Sequence, residues 1–318
     1  VENLLGAWRE FLRGKRRRKD IEQFSLHLND NIVILHRELE EKTYKHGLYQ
    51  AFRINDPKPR DIHKASVRDR LVHHAVYRVL YPYFDRKFIF DSFSCRDSKG
   101  AHKAIARFCD HARIVSKNHT QTVWVLKCDI RKFFASIDHN ILLTILRNKV
   151  KDDDTIWLLN QIISSFHTPG NPGIGLSLGN LTSQLLVNIY MNKFDHFVKR
   201  ELKCKYYIRY ADDFVFLDAD KEYLEDILSK ISIFLHKQLK LSLHPDKVYI
   251  KTLASGVDFL GWIVFPNHRV LRTATKRRMF KKLKKGYSWE SLASYRGMLK
   301  HGNTYKLRQK IDKLYGDN

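Results

Sequence analysis

Between Thr155 and Asn192 the chain carries no Asp, Glu, Lys or Arg, although 29% of all its residues are charged. That length would cross a bilayer, but Asn160, Gln161, Pro169, Pro172, Gly173, Gly175, Gly179, Asn180 and Gln184 make it too polar and too broken for a transmembrane helix. What remains is a segment through the middle of a globular fold. It holds two helical patterns joined by a Gly/Pro-rich loop from Thr168 to Gly179.

The flanking periodicities alternate between strand and helix. Val123 to Ile130 is β-branched and apolar and reads as a buried strand. Asp138 reads as the N-cap of a helix carrying Ile141, Leu142, Ile145 and Leu146, and Thr182 or Ser183 as the cap of a second. Tyr206 to Tyr210 and Phe214 to Leu217 read as strands around a polar turn, Ala211-Asp212-Asp213. Leu224, Ile227, Leu228, Ile231, Phe234 and Leu235 follow helical spacing. Val257 to Phe265 and His268 to Leu271 read as a hairpin around Pro266-Asn267. Strand, helix, helix, hairpin, helix, hairpin is an α+β order, and not the alternation of a doubly wound sheet. Residues 1–120 read as mainly helical, with an extended patch near Leu48 to Ile54.

Charge narrows the partners. With 58 Lys+Arg against 34 Asp+Glu the net charge is +24, which calls for a polyanion such as nucleic acid. A membrane surface fits the same number. Cys95, Cys109, Cys128 and Cys204 include no C-x-x-C pair, so reduced and mostly buried thiols of a cytosolic protein are expected, and not a zinc or disulfide framework. The sixteen histidines form no recognisable transition-metal motif.

Two acidic positions stand where acid is expensive. Asp129 ends an apolar strand, and Asp212-Asp213 sit between two others. A lone Asp-Asp in a hairpin is most often only a turn, because Asp hydrogen-bonds its own backbone. Placed in one sheet, however, these strands bring three carboxylates to one edge, where they repel unless cations are present. Hard oxygen ligands of this kind suit Mg²⁺. A pair of such ions activates an attacking hydroxyl and stabilises a leaving pyrophosphate. Phosphoryl transfer needs no Ser/His/Asp or Cys/His constellation. Acids and composition together point to nucleotidyl transfer on a nucleic acid.

The same residues resemble a known family. Tyr210-Ala211-Asp212-Asp213, with Asp129 in a preceding strand, is similar to the Y-x-D-D and first-aspartate motifs of reverse transcriptases. Further matches run in family order over roughly residues 45 to 275. These are Pro57-Lys58-Pro59-Arg60 with Asp69 to Ala75, then Ser92 to Arg96, then Lys127 to His139, then Leu243 to Lys247, and last Phe259-Leu260-Gly261-Trp262. The resemblance implies an α+β right-hand polymerase fold: an N-terminal extension and fingers over 1–120, a palm of antiparallel sheet on helices over 121–271, and a short basic helical thumb over 272–318. It implies two Mg²⁺ ions, with Mn²⁺ as an alternative, on Asp129, Asp212, Asp213 and the Ile130 carbonyl. Lys247 would protonate the leaving pyrophosphate, its alternative being a solvated strand-end lysine. Lys58 and Arg60 would pair with the triphosphate, and backbone amides up to Phe133 would face it. Phe134 would be the ring that excludes a ribose 2′-OH, its alternative being a core aromatic. Leu178, Gly179 and Gln184 would pack on the nascent base pair. Arg96, Tyr210, Leu260, Gly261, Lys276 and Arg277 would meet template or primer, with fingers packing as the alternative for Arg96, and Tyr287, Trp289 and Tyr295 would pack the thumb, with stacking on bases as the alternative.

One departure narrows the resemblance. Many reverse transcriptases carry Gln-Gly and then Ser-Pro where this chain has Leu178-Gly179 and Ser183-Gln184. That form resembles the enzymes of diversity-generating retroelements, which copy a template RNA with frequent errors opposite adenine. It implies dNTPs, template RNA, a cDNA or primer strand and a small basic accessory-protein oligomer as partners. The expected setting is the cytoplasm of a bacterium or archaeon, or a phage-encoded protein, with no membrane role. The alternatives are a group II intron, retron-like or phage-defence reverse transcriptase and, from another class, a non-catalytic RNA-binding scaffold.

Overall fold

The computed structural model describes residues 1–55, 59–286 and 288–315, so Lys58 and Tyr287 lie outside the described residues. In chain order the elements begin with helices α1 (Glu2–Phe11), α2 (Lys19–Leu26) and α3 (Leu28–Glu40), strands β1 (Gln50–Ile54) and β2 (Arg60–Lys64), and helices α4 (Val67–Asp85) and α5 (Ala101–Val115). There follow β3 (Trp124–Asp129), α6 (His139–Arg147), α7 (Asp153–Ser164), α8 (Leu181–His196), β4 (Tyr207–Tyr210), β5 (Asp213–Asp218) and α9 (Lys221–Leu239). The chain goes on through β6 (Tyr249–Thr252), β7 (Val257–Phe259), β8 (Trp262–Val264), β9 (Arg269–Leu271), α10 (Thr273–Lys284), α11 (Trp289–Leu299) and α12 (Tyr305–Tyr315).

Two compact units share the chain. The first takes Val1–Phe90, Ile130–Lys203 and Ile231–Leu243. It is helical, apart from the antiparallel β1–β2 hairpin. Its longest-buried element is α8, where Thr182, Ser183, Leu185 to Met191, Phe194 and Asp195 are all buried. A helix covered on most faces has little solvated side on which charge is cheap, which fits the absence of charge over its first part, up to Asn192. Charge does flank it. Asp152 caps α7 by accepting from the Thr155 amide at 2.7 Å, and Asp138 caps α6 by accepting from Ile141 N at 3.1 Å. The expected cap of α8 is corrected to Asn180. Thr182 and Ser183 lie inside the helix because their hydroxyls are engaged elsewhere, with His73 Nδ1 and with Ser177 Oγ.

The second unit takes Asp91–Asp129, Cys204–Lys230 and His244–Asn318. Its main sheet is antiparallel throughout, in the order β4-β5-β3-β6. Val125, Ile208, Val215 and Leu217 of that sheet join Ala104, Ile105, Phe108 and Ala112 of α5 in one core. The small sheet β7-β8-β9 and the helices α10 to α12 add to the same core through Phe259, Trp262, Met279, Leu292 and Ile311. The run Val257 to Phe265 is not one strand. Phe259 pairs with Trp262, so Leu260 and Gly261 form a two-residue turn with φ of 50° and 88°. Positive φ at both central residues is what a tight right-twisted hairpin requires. The cysteines also differ from expectation: all four are free, but Cys95 is exposed and Cys109 only half-buried.

Candidate functional site

The acids meet through strand register. Asp129, the last residue of β3, stands directly opposite Asp213, the first of β5. Opposite residues of an antiparallel pair point to the same face, roughly 5 Å apart at Cβ. Tyr210 pairs with Asp213. The turn is therefore Ala211-Asp212 alone, and Asp213 belongs to the strand and not to the turn. Ala211 holds φ at 56°, a left-handed conformation that costs an L-residue roughly 1 kcal/mol. The strain is held from below by Arg209, which is fully buried. Its Nη1 donates to the Ala211 carbonyl at 3.1 Å and its Nη2 to Ser92 Oγ at 3.0 Å.

Each strand acid has a lysine. Lys247 Nζ donates to Asp129 Oδ1 at 2.7 Å, and Lys127 Nζ to Asp213 Oδ2 at 3.3 Å. The turn bearing Lys247 is tied to the same strand end, since His244 N donates to the Asp129 carbonyl at 2.7 Å. Burial pushes the Asp213 carboxyl up to about 7; Lys127 opposes this, and Asp212 and Asp129 add to it. Its Oδ1 is enclosed without a hydrogen-bond partner. Carboxylate oxygens on one sheet edge, one of them orphaned on an Asp213 whose protonation burial, Asp212 and Asp129 favour, suit a hard divalent cation. No group of three or more His, Cys, Asp or Glu already gathered closely enough to hold a metal ion occurs among the described residues. Lys247 and Lys127 are counter-charges to Asp129 and Asp213.

The residues expected around a nucleotide lie in the helical unit. Ile130 is buried and bridges to Leu243. Phe133 and Phe134 sit in a short 3₁₀ turn with their rings edge to face at 5.6 Å. Phe133 is buried and Phe134 half-exposed, its carbonyl accepting from Leu176 N at 2.8 Å. The Leu178 carbonyl accepts from His63 N at 2.9 Å, which ties the Gly-rich loop to β2. Gly179 has φ of 108°, and a Cβ there would meet Ile62 Cγ2 at 2.8 Å, so glycine is required twice over. Gly179 and Gln184 line a cavity of about 370 Å³ together with Lys15, Arg18, Lys64 and Arg70. Arg60, exposed at the start of β2, is not among its lining residues.

The remaining expected residues are in the second unit. Arg96 donates to the Ser92 carbonyl at 2.9 Å, Tyr210 is half-buried, and Leu260-Gly261 form the hairpin tip described above. Lys276 and Arg277 are exposed on α10.

Comparison with known proteins decides the family. Residues 54–264 match the family model described as reverse transcriptase (RNA-dependent DNA polymerase). The chain belongs to the reverse transcriptase family. Protein YkfC of Escherichia coli is 26% identical over 66% of this chain and 63% of its own length. The group II intron-encoded protein LtrA of Lactococcus lactis is 23% identical over 70% of this chain and 47% of its own. This chain thus spans less than two thirds of either relative. The retron Ec83 reverse transcriptase of Escherichia coli is 26% identical over 68% of this chain and 75% of its own. Telomerase structures from Candida albicans and Candida tropicalis each superpose with a TM-score of 0.55 at 10% and 12% identity, over 74% and 77% of this chain. That likeness shows the fold: an α+β right-hand polymerase fold.

Several residues of this reverse transcriptase fold escaped sequence reasoning. Lys127 lies two residues before Asp129, hence on the same face of β3, and strand alternation alone would have paired it with the acids. Tyr249, opposite Lys127 on β6, is pushed up to about 12 by burial and by Asp258, with Asp213 contributing. Arg209 offered no signal, because an arginine in a strand reads as a surface residue. No helix of the described residues is long and apolar enough to cross a membrane.

Proposed function

We propose that the chain is an RNA-directed DNA polymerase that makes cDNA from a template RNA, and that it is the error-prone enzyme of a diversity-generating retroelement. The observation that carries the polymerase reading is the in-register pair Asp129–Asp213 with Asp212 beside it, where burial first and then Asp212 and Asp129 raise Asp213 to about 7. In this reading residues 1–120 are the N-terminal extension and fingers, 121–271 the palm and 272–318 the thumb. Asp129, Asp212 and Asp213, with the Ile130 carbonyl, hold the divalent ions. Mg²⁺ bound there supplies activation of the primer hydroxyl and neutralisation of the charge on the departing pyrophosphate. Lys247, hydrogen-bonded to Asp129, gives its proton to that pyrophosphate. Phe134 excludes the ribose 2′-OH, and Arg60 with Lys58 grips the triphosphate. Arg96, Tyr210, Leu260, Gly261, Lys276 and Arg277 carry template and primer.

The error-prone part of the reading is supported by Leu178. An aliphatic side chain at that position removes a hydrogen-bonding amide from the pocket of the nascent base pair, and geometric checking weakens. The experiment is Mg²⁺-dependent dNTP incorporation on an RNA template by wild type and by Asp212→Asn, followed by sequencing of the cDNA. The reading requires incorporation by wild type alone, errors concentrated opposite template adenine, and fewer of them in Leu178→Gln. The relatives favour a second reading, a group II intron or retron-like reverse transcriptase. Faithful copying of adenine by an active wild type would select it. Equal incorporation by both proteins, or none by either, would leave the RNA-binding scaffold.

A further inference from the structure

The helical unit holds another cavity, of about 400 Å³, that none of the expected site residues lines. Its floor is apolar and aromatic. Phe84 and Ile189 are buried there, and the half-exposed rings of Phe197 and Phe234 stack at 4.1 Å between centroids and 15° between planes. Its rim is cationic: Lys87, Lys149, Lys193 and Arg200 line it against one acid, Glu201. Phe197, Arg200 and Glu201 fall in a π-helical turn, Phe197–Glu201, that widens the end of α8. Such turns occur mostly where a helix must offer side chains out of ordinary register, frequently at functional sites.

Among the described residues, none of Lys87, Lys149, Lys193 and Arg200 forms an ion pair. Lys193 Nζ donates to the neutral Gln238 Oε1 at 2.9 Å, and Lys87 lies over the Tyr83 ring at 4.3 Å. The Tyr83 hydroxyl in turn donates to the Lys149 carbonyl at 2.8 Å, which fixes the rim without using its charge. His196, inside the same cavity, is held below its ordinary value by burial and next by Arg200, against Asp195. The cavity thus combines a stacked pair of aromatic rings with four cations set against one lining acid, Glu201. A base stacks on aromatic rings with about 1–3 kcal/mol, and a cationic rim follows its backbone. The volume is of the size that ligand pockets have. A basic protein has the wrong sign for this rim, and an acidic peptide without aromatic side chains brings no base to stack on the outer face of the ring pair.

We propose that this cavity is a second RNA site, which takes one unpaired nucleotide of single-stranded RNA with its base on the Phe197–Phe234 floor and its phosphates on Lys149, Lys193 and Arg200. It goes beyond templating: it holds RNA through residues that the polymerase reading does not use.

The test uses the full chain saturated with a template–primer duplex and a fluorescein-labelled hexauridylate as probe. Lys149→Ala/Arg200→Ala should weaken hexauridylate binding about fivefold and reduce the slope of log K against log salt by about 1.4, at 0.7 per phosphate contact. Phe197→Leu should weaken binding with the slope unchanged, since it removes stacking and no charge. A 4-thiouridine version of the probe should crosslink to the peptides bearing Phe197 or Phe234. Primer extension on a short template should be unaffected in both variants. Unchanged affinity and slope in the double variant would overturn the proposal, as would crosslinks confined to other peptides. Displacement of hexauridylate by hexaglutamate at equal charge would also overturn it, because the site would then read charge alone.

Discussion

Acids are gathered at the end of β3 and β5, and cations in the cavity beside Gly179; the two clusters are neutralised in different ways. At the strand ends Asp129 and Asp213 each have a counter-ion, Lys247 on Asp129 and Lys127 on Asp213. In the cavity the cations share one acid, since Lys64 and Arg70 both reach Asp20 Oδ2, at 2.7 and 2.6 Å. Lys15 is left to Arg18 and Arg70, and burial with those two neighbours depresses its pKa. At the strand ends Asp129 and Asp213 are thus each neutralised by a lysine and can change partner. The cavity keeps surplus positive charge, as a site for an anion should.

The sharpest way to break this contrast is to remove an acid from the strand ends. Asp129→Asn should lower dNTP incorporation about a thousandfold, or roughly 4 kcal/mol, because under the proposed function it removes a metal ligand and strands Lys247. Single-turnover kinetics at saturating Mg²⁺ check this, and a tenfold loss would be too small for a metal ligand. Asp213 tests the same cluster through stability. Its folded pKa, about 7, lies above the ordinary 3.8. The folded chain therefore binds more protons than the unfolded one in that window, and the metal-free protein should lose stability as pH rises through it. Asp213→Asn should flatten the dependence, and Mg²⁺ should restore wild type alone. Thermal melts at about pH 5 and about pH 8 decide it; a wild-type Tm that does not fall would refute the assignment.

Arg209 tests whether the strand-end geometry is held from below. Arg209→Met keeps the volume but leaves the Ala211 carbonyl and the Ser92 hydroxyl without that donor, a cost of about 1–3 kcal/mol. Incorporation should fall about tenfold with KM for dNTP unchanged, since a relaxed Ala211 moves Asp212 and not the nucleotide pocket. An equal rise in KM would mean that the turn is not what Arg209 serves.

The two clusters were not equally legible in the sequence. Asp129, Asp212 and Asp213 sit on strand–turn–strand segments whose alternation is local, so one sheet sufficed to bring them together. The same alternation carries Lys127, which went unread only because lysine in a strand is ordinarily solvated. The cavity cations come from the α1–α2 connection, β2 and α4, and no periodicity spans those segments. Leu260-Gly261 was hidden by apolar neighbours: Phe259 and Trp262 flank the turn and make it look like continuous strand. The helical order and the Gly/Pro loop were legible because burial and glycine both act locally, whereas the cap of α8 depended on where distant His73 took the Thr182 hydroxyl.

The smallest effect expected is at Asp20. Burial raises its pKa, but hydrogen bonds from Lys64 and Arg70 win and hold it at about 2. A carboxylate depressed below its ordinary 3.8 contributes stability above that value and loses it as pH falls towards 2. The side chain is one-third exposed, so solvent screening limits the loss in Asp20→Asn to about 1 kcal/mol at neutral pH. The same substitution frees Lys64 and Arg70 and makes the cavity more positive. Tripolyphosphate, titrated by calorimetry, should therefore bind Asp20→Asn about threefold more tightly than wild type. Weaker binding would show that Asp20 orders these cations more than it neutralises them, and the contrast between the two clusters would then be one of geometry and not of charge.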